Sequence, residues 1–329
     1  MTHSHNDEIC FLVYASRAGS TYLASLLNCF DDIGVCLESN FIYFLLDGRS
    51  IYQTTSEIDE ALDYFYADER SKDWNLDRSQ LTNWLNEKLP LRPPELLREI
   101  LKANFHRTKP TANLFVYKGC SNHYMNRLIA MFPESKVLFI FRDGRAVYAS
   151  QKQSLAPYTN RVHSTNPVAT ARNWNRWFDV IDHISDKGTN VVRVKYEELI
   201  TDVEQEVSRV YQLLTGRSLD KQSLSLDTGN YARQIPSSQA RIHGNVEQCP
   251  ITARINAWQK EIKTPEIYAF ERTANTRLVE LGYELTKTPY GIRLTDRLLT
   301  LKWRAQHHLN KRWYSLKAIW HRVTQRLGF

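Results

Sequence analysis

Short apolar runs alternate with helix-like stretches along most of the chain. Four of these runs are rich in β-branched and aromatic residues and have the length of buried strands. They are Ile9–Ala15, Leu114–Lys118, Lys136–Phe141 and Asn190–Tyr196. Strands that alternate with helices are typical of a parallel sheet covered by helices on both faces. The pattern therefore predicts an α/β fold with four βα units.

The helices of the first, second and fourth units are predicted over Thr21–Asn28, Asn122–Met131 and Glu197–Leu214. Gly216 closely follows the last of them, and glycine is common just beyond a helix C-terminus. Residues 58–106 contain two tryptophans and three prolines and are interpreted as a helical insertion that shapes a substrate cleft. No linker-like segment interrupts residues 1–285, which we expect to form the main domain.

The composition excludes several classes of protein. Of the 329 residues, 42% are hydrophobic and 24% are charged, which indicates a folded chain and not a disordered or collagen-like one. The longest apolar runs, such as Phe41–Leu46, are far shorter than the roughly 18 residues of a membrane-spanning helix. The N-terminus lacks the basic region of a signal peptide, so we expect a cytoplasmic protein. Five cysteines without a CxxC pair predict reduced thiols and no zinc site.

The net charge of +7 is distributed unevenly along the chain. Residues 286–329 contain ten Lys and Arg and a single acid, Asp296, so this tail carries +9 and the preceding residues carry −2. Apolar residues recur in the tail at alternating spacings of four and three, which is typical of one helix face. They are Leu309, Trp313, Leu316, Trp320, Val323 and Leu327. We therefore predict a basic amphipathic C-terminal helix.

Three interpretations of this tail stay open. In the first, its apolar stripe docks on the rest of the protein or on a second copy, whose slightly negative body accepts the basic face. In the second, residues 291–329 bind an anionic membrane surface at its cytoplasmic face, since tryptophans beside cations suit lipid headgroups. Such binding would favour a lipid-linked or envelope-glycan substrate. The third is nucleic-acid binding, which no groove-reading motif supports.

A polar turn follows the first predicted strand, and parallel sheets bind ligands at the carboxyl ends of their strands. The turn consists of Ser16, Arg17, Ala18, Gly19, Ser20 and Thr21. Gly19 permits close approach of a ligand, and Arg17 offers a planar cation to phosphate-like oxygens. The amide N–H groups of the following helix also favour an anion. The turn is interpreted as an anion-binding loop, with an ordinary turn as the alternative. It lacks the GxxxxGK[ST] pattern of nucleotide triphosphatases.

A second candidate anion site follows the third predicted strand, in the sequence FRDGRAVYAS at 141–150. Arg142 is expected at the carboxyl end of the strand. Ser150 is expected near the second turn of the next helix, close enough to share one anion with Arg142. The alternative is a salt bridge between Asp143 and Arg145, with Ser150 on the surface. Two anion sites at one sheet edge favour a ligand with phosphate groups at both ends.

These segments resemble those of sulfotransferases that use 3′-phosphoadenosine-5′-phosphosulfate (PAPS). SRAGST at 16–21 is similar to the 5′-phosphosulfate loop of the family, and RDGRAVYAS at 142–150 is similar to its 3′-phosphate motif. FPESK at 132–136 and KYEEL at 195–199 resemble further family elements in the same order. RDGR resembles the tyrosylprotein branch, and the chain as a whole also resembles the bacterial carbohydrate branch. The resemblance implies a P-loop-like fold and a metal-independent enzyme that releases adenosine 3′,5′-bisphosphate (PAP).

The resemblance also assigns the residues that bind PAPS. Arg17 and the amides of its loop would hold the 5′-phosphosulfate. Arg142 and Ser150 would hold the 3′-phosphate. Adenine recognition would fall to Tyr196, Trp258 and the loop Tyr231–Gly244, with Arg233, Arg241 and His243.

Catalysis would fall to a lysine and a glutamate. Lys118 matches the lysine that the family places against the bridging oxygen, where negative charge develops in the transition state. Glu38 stands 21 residues after Arg17, at the spacing of the catalytic base in the tyrosylprotein and glycan branches. The chain departs from cytosolic small-molecule sulfotransferases, which have a catalytic histidine where this chain has Cys120. His123 is the alternative base.

The implied reaction is transfer of a sulfonate to a hydroxyl or amine of an acceptor, such as a glycan, a lipid-linked glycan or a natural product. Two other functions stay open. A P-loop kinase would need a lysine after the loop glycine and an acidic magnesium ligand, for which Asp143 is the candidate. A catalytically inactive nucleotide-binding scaffold would have lost the lysine or the base, and this chain has both.

Overall fold

A computed structural model describes residues 8–74, 76–154, 162–219, 252–286 and 297–309. The chain divides into two compact units, each built from two stretches of sequence. The first unit contains Met1–Arg142 and Trp177–Thr252, and the second contains Asp143–Arg176 and Ala253–Phe329. The domain boundary expected at residue 285 falls within the sequence of the second unit. The predicted adenosine loop Tyr231–Gly244 and the tail beyond residue 309 lie outside the described residues.

Five parallel strands form the sheet of the first unit, in the order β2-β3-β1-β4-β5. They are β1 (Glu8–Tyr14), β2 (Ile33–Val35), β3 (Leu114–Lys118), β4 (Lys136–Phe141) and β5 (Val191–Lys195). The predicted parallel α/β sheet is confirmed, and its four predicted strands lie on the four apolar runs. Because all strands run the same way, the residues that follow them gather at one edge of the sheet.

Strand β2 is the strand that the hydrophobic pattern missed. It has three residues, too few to show a period, and its central residue is Gly34. A Cβ atom at Gly34 would lie 2.6 Å from the ring of Phe105, so close packing requires glycine here. The strand therefore depends on a tertiary contact that local sequence does not reveal.

Both faces of the sheet are buried. On one face, Cys10 and Leu12 of β1 belong to a cluster of buried side chains that includes Leu23 and Val210 from flanking helices. On the other face the core is aromatic, and the ring of Phe139 packs edge-to-face on Phe178 with centroids 5.2 Å apart. Burial on both faces explains why the strands read as continuous apolar runs.

Helices fill the connections of the first unit. Those before β3 are α1 (Ser20–Leu27), α2 (Phe41–Asp47), α3 (Thr55–Ala67), α4 (Arg78–Asn86) and α5 (Pro93–Phe105), with a 3₁₀ turn at Ser71–Trp74. Those after β3 are α6 (Met125–Met131), the second half of α8 (Pro167–Asp186), α9 (Tyr196–Thr201) and α10 (Val203–Thr215). Thr54 and Glu57 form a capping box at the start of α3, and Asp77 caps α4. The segment interpreted as an insertion is thus largely helical.

Two helix boundaries differ from the prediction. The helix predicted over Glu197–Leu214 is two helices, because Asp202 leaves the helical conformation and accepts a hydrogen bond from Gln205 N at 3.1 Å. An aspartate favours such a cap over a helix interior. The helix predicted from Asn122 starts only at Met125. The predicted end at Gly216 is confirmed, and this glycine is left-handed, with φ of 73°.

The second unit is helical. It contains α7 (Gly144–Gln153), the first half of α8, α11 (Trp258–Glu261), α12 (Thr264–Glu280) and a helical segment over residues 297–309. Gly144 starts α7 where a Cβ atom would lie 2.4 Å from the ring of Phe270 and 2.9 Å from Trp174. The glycine in the RDGR sequence is therefore required by packing.

Candidate functional site

The loop between β1 and α1 has an unusual backbone. Arg17 has φ of 75°, and Gly19 has φ of 99°. A left-handed conformation is uncommon for arginine, and such conformations concentrate at functional sites. Gly19 precedes α1 without offering a side chain as a cap, and no acidic residue lies in the first turn. The positive end of α1 is thus not neutralised by a local side chain, which suits an anion.

Tyr196 and Arg142 lie beside this loop. A Cβ atom at Gly19 would be 2.4 Å from the Tyr196 ring, so the ring packs directly on the loop backbone. The guanidinium of Arg142 lies over the same ring, 4.5 Å from its centroid. Three positions predicted to bind the nucleotide, Gly19, Arg142 and Tyr196, therefore meet in the first unit, although they are far apart in sequence.

Lys118 ends β3 and joins the loop to Glu38. Its Nζ atom lies 3.2 Å from Glu38 Oε1 and donates a hydrogen bond to Thr21 Oγ1 at 3.1 Å. The Lys118 side chain is 5% exposed and that of Glu38 is 23% exposed. The predicted lysine and the predicted base are thus direct neighbours at the edge of the sheet.

Glu38 has two further partners that the sequence did not reveal. The hydroxyl of Tyr14 donates a hydrogen bond to Oε1. Arg70, from the segment between α3 and α4, lies 3.8 Å from Oε2. Burial alone would raise the pKa of Glu38, but the charge of Lys118, the Tyr14 hydrogen bond and the charge of Arg70 outweigh it. The pKa falls to about 2, so the carboxyl group is ionised at neutral pH.

The loop after β2 is fixed by Asp68, which the sequence analysis also missed. The Asp68 carboxylate accepts hydrogen bonds from Asn40 N at 2.6 Å and from Asn40 Nδ2 at 3.2 Å. Ser39 Oγ and Ser71 Oγ lie 2.7 Å apart, and both are buried. The segment between α3 and α4 therefore both supplies Arg70 and holds the loop that carries the glutamate.

Cys120, at the position of the small-molecule enzymes' histidine, and His123, the alternative base, are placed differently from Glu38. The Cys120 thiol is buried, and burial raises its pKa to about 12 against a smaller opposing effect of a backbone hydrogen bond at Ser121. It is therefore protonated at neutral pH and cannot accept a proton. His123, expected on a helix, is instead exposed in the turn before α6. Its role as the alternative base remains a prediction.

The RDGR segment divides between the two units at Arg142. In the second unit, Asp143 caps α7 by accepting a hydrogen bond from Arg145 N at 2.8 Å. The buried Arg145 guanidinium pairs with Asp143 at 2.8 Å and with Glu271 at 2.5 Å. The predicted salt bridge is thus present, and a carboxylate already occupies the N-terminus of α7. An anion held by both Arg142 and Ser150 would therefore have to bind their side chains and not the N-terminus of α7. This shared site remains a prediction.

Trp258 is buried in the second unit, with 3% of its surface exposed. The Arg145 guanidinium covers its ring, 4.1 Å from the centroid. One face of the indole is therefore already used by a cation–π contact. Its contact with adenine remains a prediction.

Comparison with known proteins gives three results. A model of the Sulfotransferase family matches residues 10–218. The chain is similar to a sulfotransferase domain from the curacin biosynthetic pathway, with TM-score 0.51 and 17% identity over 85% of this chain and 99% of that domain. It is also similar to the sulfotransferase domain of the Synechococcus PCC 7002 olefin synthase, with TM-score 0.57 and 16% identity over 87% of this chain and 98% of that domain. A search of curated protein sequences gives no significant match.

The structural matches show a shared fold, and the family match carries the identification. The matched residues 10–218 make up more than half of the chain. They include the loop at 16–21, the Lys118–Glu38 pair and the RDGR segment. The resemblance inferred from the sequence is therefore confirmed, and the chain belongs to the Sulfotransferase family.

Proposed function

We propose that the protein transfers a sulfonate from PAPS to a hydroxyl or amine of its acceptor, with Glu38 as the general base. The observation that carries the proposal is the contact between Lys118 and Glu38 beside the loop at 16–21. Sulfonate transfer needs a cation at the departing oxygen and a base at the attacking atom. Lys118 and Glu38 are a cation and a base held within one hydrogen-bond length of each other.

The reaction forms one bond and breaks another. A bond forms between the acceptor oxygen or nitrogen and the sulfur, and the bond from sulfur to the bridging phosphate oxygen breaks. The acceptor proton passes to a carboxylate oxygen of Glu38. The Lys118 ammonium and the amides at the start of α1 stabilise the negative charge left on PAP.

The ion pair would also control the pKa of Glu38, and with it the strength of this carboxylate as a base. A carboxylate with a pKa of about 2 is a poor proton acceptor. When Lys118 turns to the bridging oxygen of PAPS, Glu38 loses the largest of the influences that lower its pKa. Burial then acts to raise the pKa. The strength of the base would thus depend on where Lys118 binds.

The residues proposed to bind PAPS follow the sequence motifs. Ser16, Arg17, Ala18, Gly19, Ser20 and Thr21 would hold the 5′-phosphosulfate. Arg142 and Ser150 would hold the 3′-phosphate, and Tyr196 and Trp258 the adenosine. Close packing of Tyr196 on Gly19 and of Arg142 on Tyr196 supports the first-unit part of this site.

The P-loop kinase alternative has less support than the sulfotransferase proposal. A kinase would need an acidic magnesium ligand, and Asp143 was the candidate in the sequence. Its carboxylate is 7% exposed and bonded to Arg145 and to the start of α7. Releasing it would leave the buried Arg145 with Glu271 as its remaining acidic partner.

Calorimetry and mass spectrometry test the proposal together. We expect PAP to bind the full chain in the presence of EDTA, because the proposed site uses side chains and amides alone. We expect PAPS to yield an acceptor heavier by one sulfonate from a panel of glycans, lipid-linked glycans and small natural products. PAP binding that requires magnesium, or transfer of a phosphate from ATP to the same panel, would favour a kinase.

A further inference from the structure

The helical segment over residues 297–309 exposes large apolar side chains. Leu298 is 56% exposed, Leu301 is 57% exposed and Leu309 is 66% exposed. Single exposed leucines are ordinary, but three lie within these thirteen residues of one helix.

The opposite side of the same segment lies against the second unit. Thr300 is 4% exposed, and Trp303 and His307 are partly buried. The Trp303 carbonyl accepts a hydrogen bond from Asn166 Nδ2 at 3.0 Å. Residues 300, 303 and 307 recur at helical spacing and form one face. The segment is therefore attached by this face, and its leucines point away from the attachment.

Two of the exposed leucines, Leu298 and Leu309, are in phase with the apolar stripe of the tail. At 100° per residue, Leu298, Ala305 and Leu309 lie within about 40° of one another around the helix, and Leu301 lies about 60° from Leu298. Leu309 is also the first residue of the stripe that continues in the sequence to Leu327. Leu309, the one residue of this stripe within the described part of the chain, is thus on the outward face of the segment. At Leu309, this weighs against the interpretation that the stripe docks on the protein's own body.

Charge narrows the choice of partner. Residues 297–309 contain Arg297, Lys302 and Arg304 and no Asp or Glu. Arg297 and Lys302 are exposed beside the leucines. A second copy docked on this face would bring cation against cation. Nucleic acid docked on this face would bring its phosphates against leucine side chains, which donate no hydrogen bonds. Anionic lipid satisfies both features, because its headgroups attract the cations and its acyl boundary accepts the leucines.

We propose that residues 297–309 bind an anionic lipid surface, with Leu298, Leu301 and Leu309 entering the acyl boundary. Within the described residues, no helix has the length and apolar character needed to cross a bilayer. The segment would therefore lie along the surface, as amphipathic interfacial helices do. This placement would hold the enzyme beside lipid-linked acceptors, and it does not depend on which residues transfer the sulfonate.

Vesicle sedimentation with the full chain tests the proposal. We expect binding to vesicles of equal parts phosphatidylcholine and phosphatidylglycerol at low salt, and little binding to phosphatidylcholine alone. Replacing Leu298, Leu301 and Leu309 together by Gln should weaken this binding by about tenfold or more. The reason is that leucine side chains are no longer transferred from water into the acyl boundary of the lipid. A control with Leu213→Gln and Val279→Gln removes similarly exposed apolar side chains elsewhere and should bind as the wild type does.

The outcomes separate the possible partners. Equal melting temperatures would show that the triple variant is folded, since all three side chains are exposed. The proposal is overturned if the wild-type chain does not sediment with anionic vesicles. It is also overturned if the triple variant binds these vesicles as strongly as the wild type does. A dimer that the leucine substitutions dissociate, without vesicle binding, would assign the face to a second copy.

Discussion

The ammonium group of Lys118 lies 3.2 Å from a carboxylate oxygen of Glu38 and 3.1 Å from the hydroxyl of Thr21. One buried cation thus connects the proposed base with the first turn of the helix that follows the anion-binding loop. In water an ion pair of this kind is worth little, but removing one partner of a buried pair is costly. Substituting either partner should therefore have a measurable effect on the site.

Lys118→Met should raise the pKa of Glu38. The substitution removes the largest of the influences that hold the pKa at about 2, and burial then opposes ionisation. We expect the pKa to rise from about 2 towards the ordinary value for glutamate, since Tyr14 and Arg70 still act to lower it. Tyr14→Phe removes a single hydrogen bond and should raise the pKa by less. NMR titration of the carboxyl carbon gives both values, and an unchanged pKa in Lys118→Met would show that the ion pair is not formed in solution.

Glu38 should also stabilise the fold in a pH-dependent way. Its pKa is lowered in the folded state, so its contribution is present above about pH 4.5 and is lost as the pH falls towards 2. At pH 7 the free energy of unfolding should fall by at most about 3 kcal/mol in Glu38→Gln, and the deficit should shrink in acid. Urea unfolding across this pH range measures it. Glu69→Gln, at a side chain 69% exposed, is the control and should cost little at any pH. A pH-independent deficit in Glu38→Gln would contradict this account.

Gly19→Ala should impair PAP binding. Alanine would place its Cβ 2.4 Å from the Tyr196 ring and would also be strained at φ of 99°. Gly188→Ala is a matched control, because Gly188 has φ of 90° and nothing within 4 Å of the added Cβ. Both variants should lose roughly 1 kcal/mol of stability from backbone strain, and Gly19→Ala should lose more because its Cβ displaces the Tyr196 ring. In calorimetry, only Gly19→Ala should weaken PAP binding, by about tenfold or more. Equal PAP affinities in the two variants would remove the loop from the site.

Arg142→Ala and Ser150→Ala test the proposed 3′-phosphate contacts. Each should weaken PAP binding by about 1.5 to 3 kcal/mol, the usual value for a lost charge-assisted hydrogen bond. AMP, which lacks the 3′-phosphate, should bind the variants and the wild type alike. If AMP and PAP lose affinity equally in calorimetry, these residues support the structure and do not contact the phosphate.

The parts of this molecule that could be predicted are those encoded by contiguous residues. The strands that carry Tyr14 and Lys118 are continuous apolar runs. Their length and apolar character predicted both the strands and the sheet edge at which they end. The site residues Glu38 and Lys118 came from a family resemblance, which fixes residue type and spacing. Strand β2 was not predictable because Gly34 is explained only by the ring of Phe105.

The missed site residues share a physical reason. Arg70 reaches Glu38 across 32 positions of sequence, and Asp68 reaches Asn40 across 28. Neither carries a local pattern, since charged residues in a helical insertion look like a solvated surface. Tyr14 had a weak signal, because it ends β1 at the edge where ligands bind. The sequence places residues on elements, whereas these contacts depend on how the insertion folds back.

The most direct test of the central claim is single-turnover transfer from PAPS, comparing wild type with Glu38→Gln in the presence of EDTA. PAP affinity is measured on the same samples by calorimetry, and the acceptor is one found by mass spectrometry. The account predicts that Glu38→Gln keeps its PAP affinity and slows transfer by about 10² to 10⁴, the usual contribution of a general base. Glu69→Gln should transfer at the wild-type rate. Transfer by Glu38→Gln at the wild-type rate would contradict the account and would make His123 the next base to test.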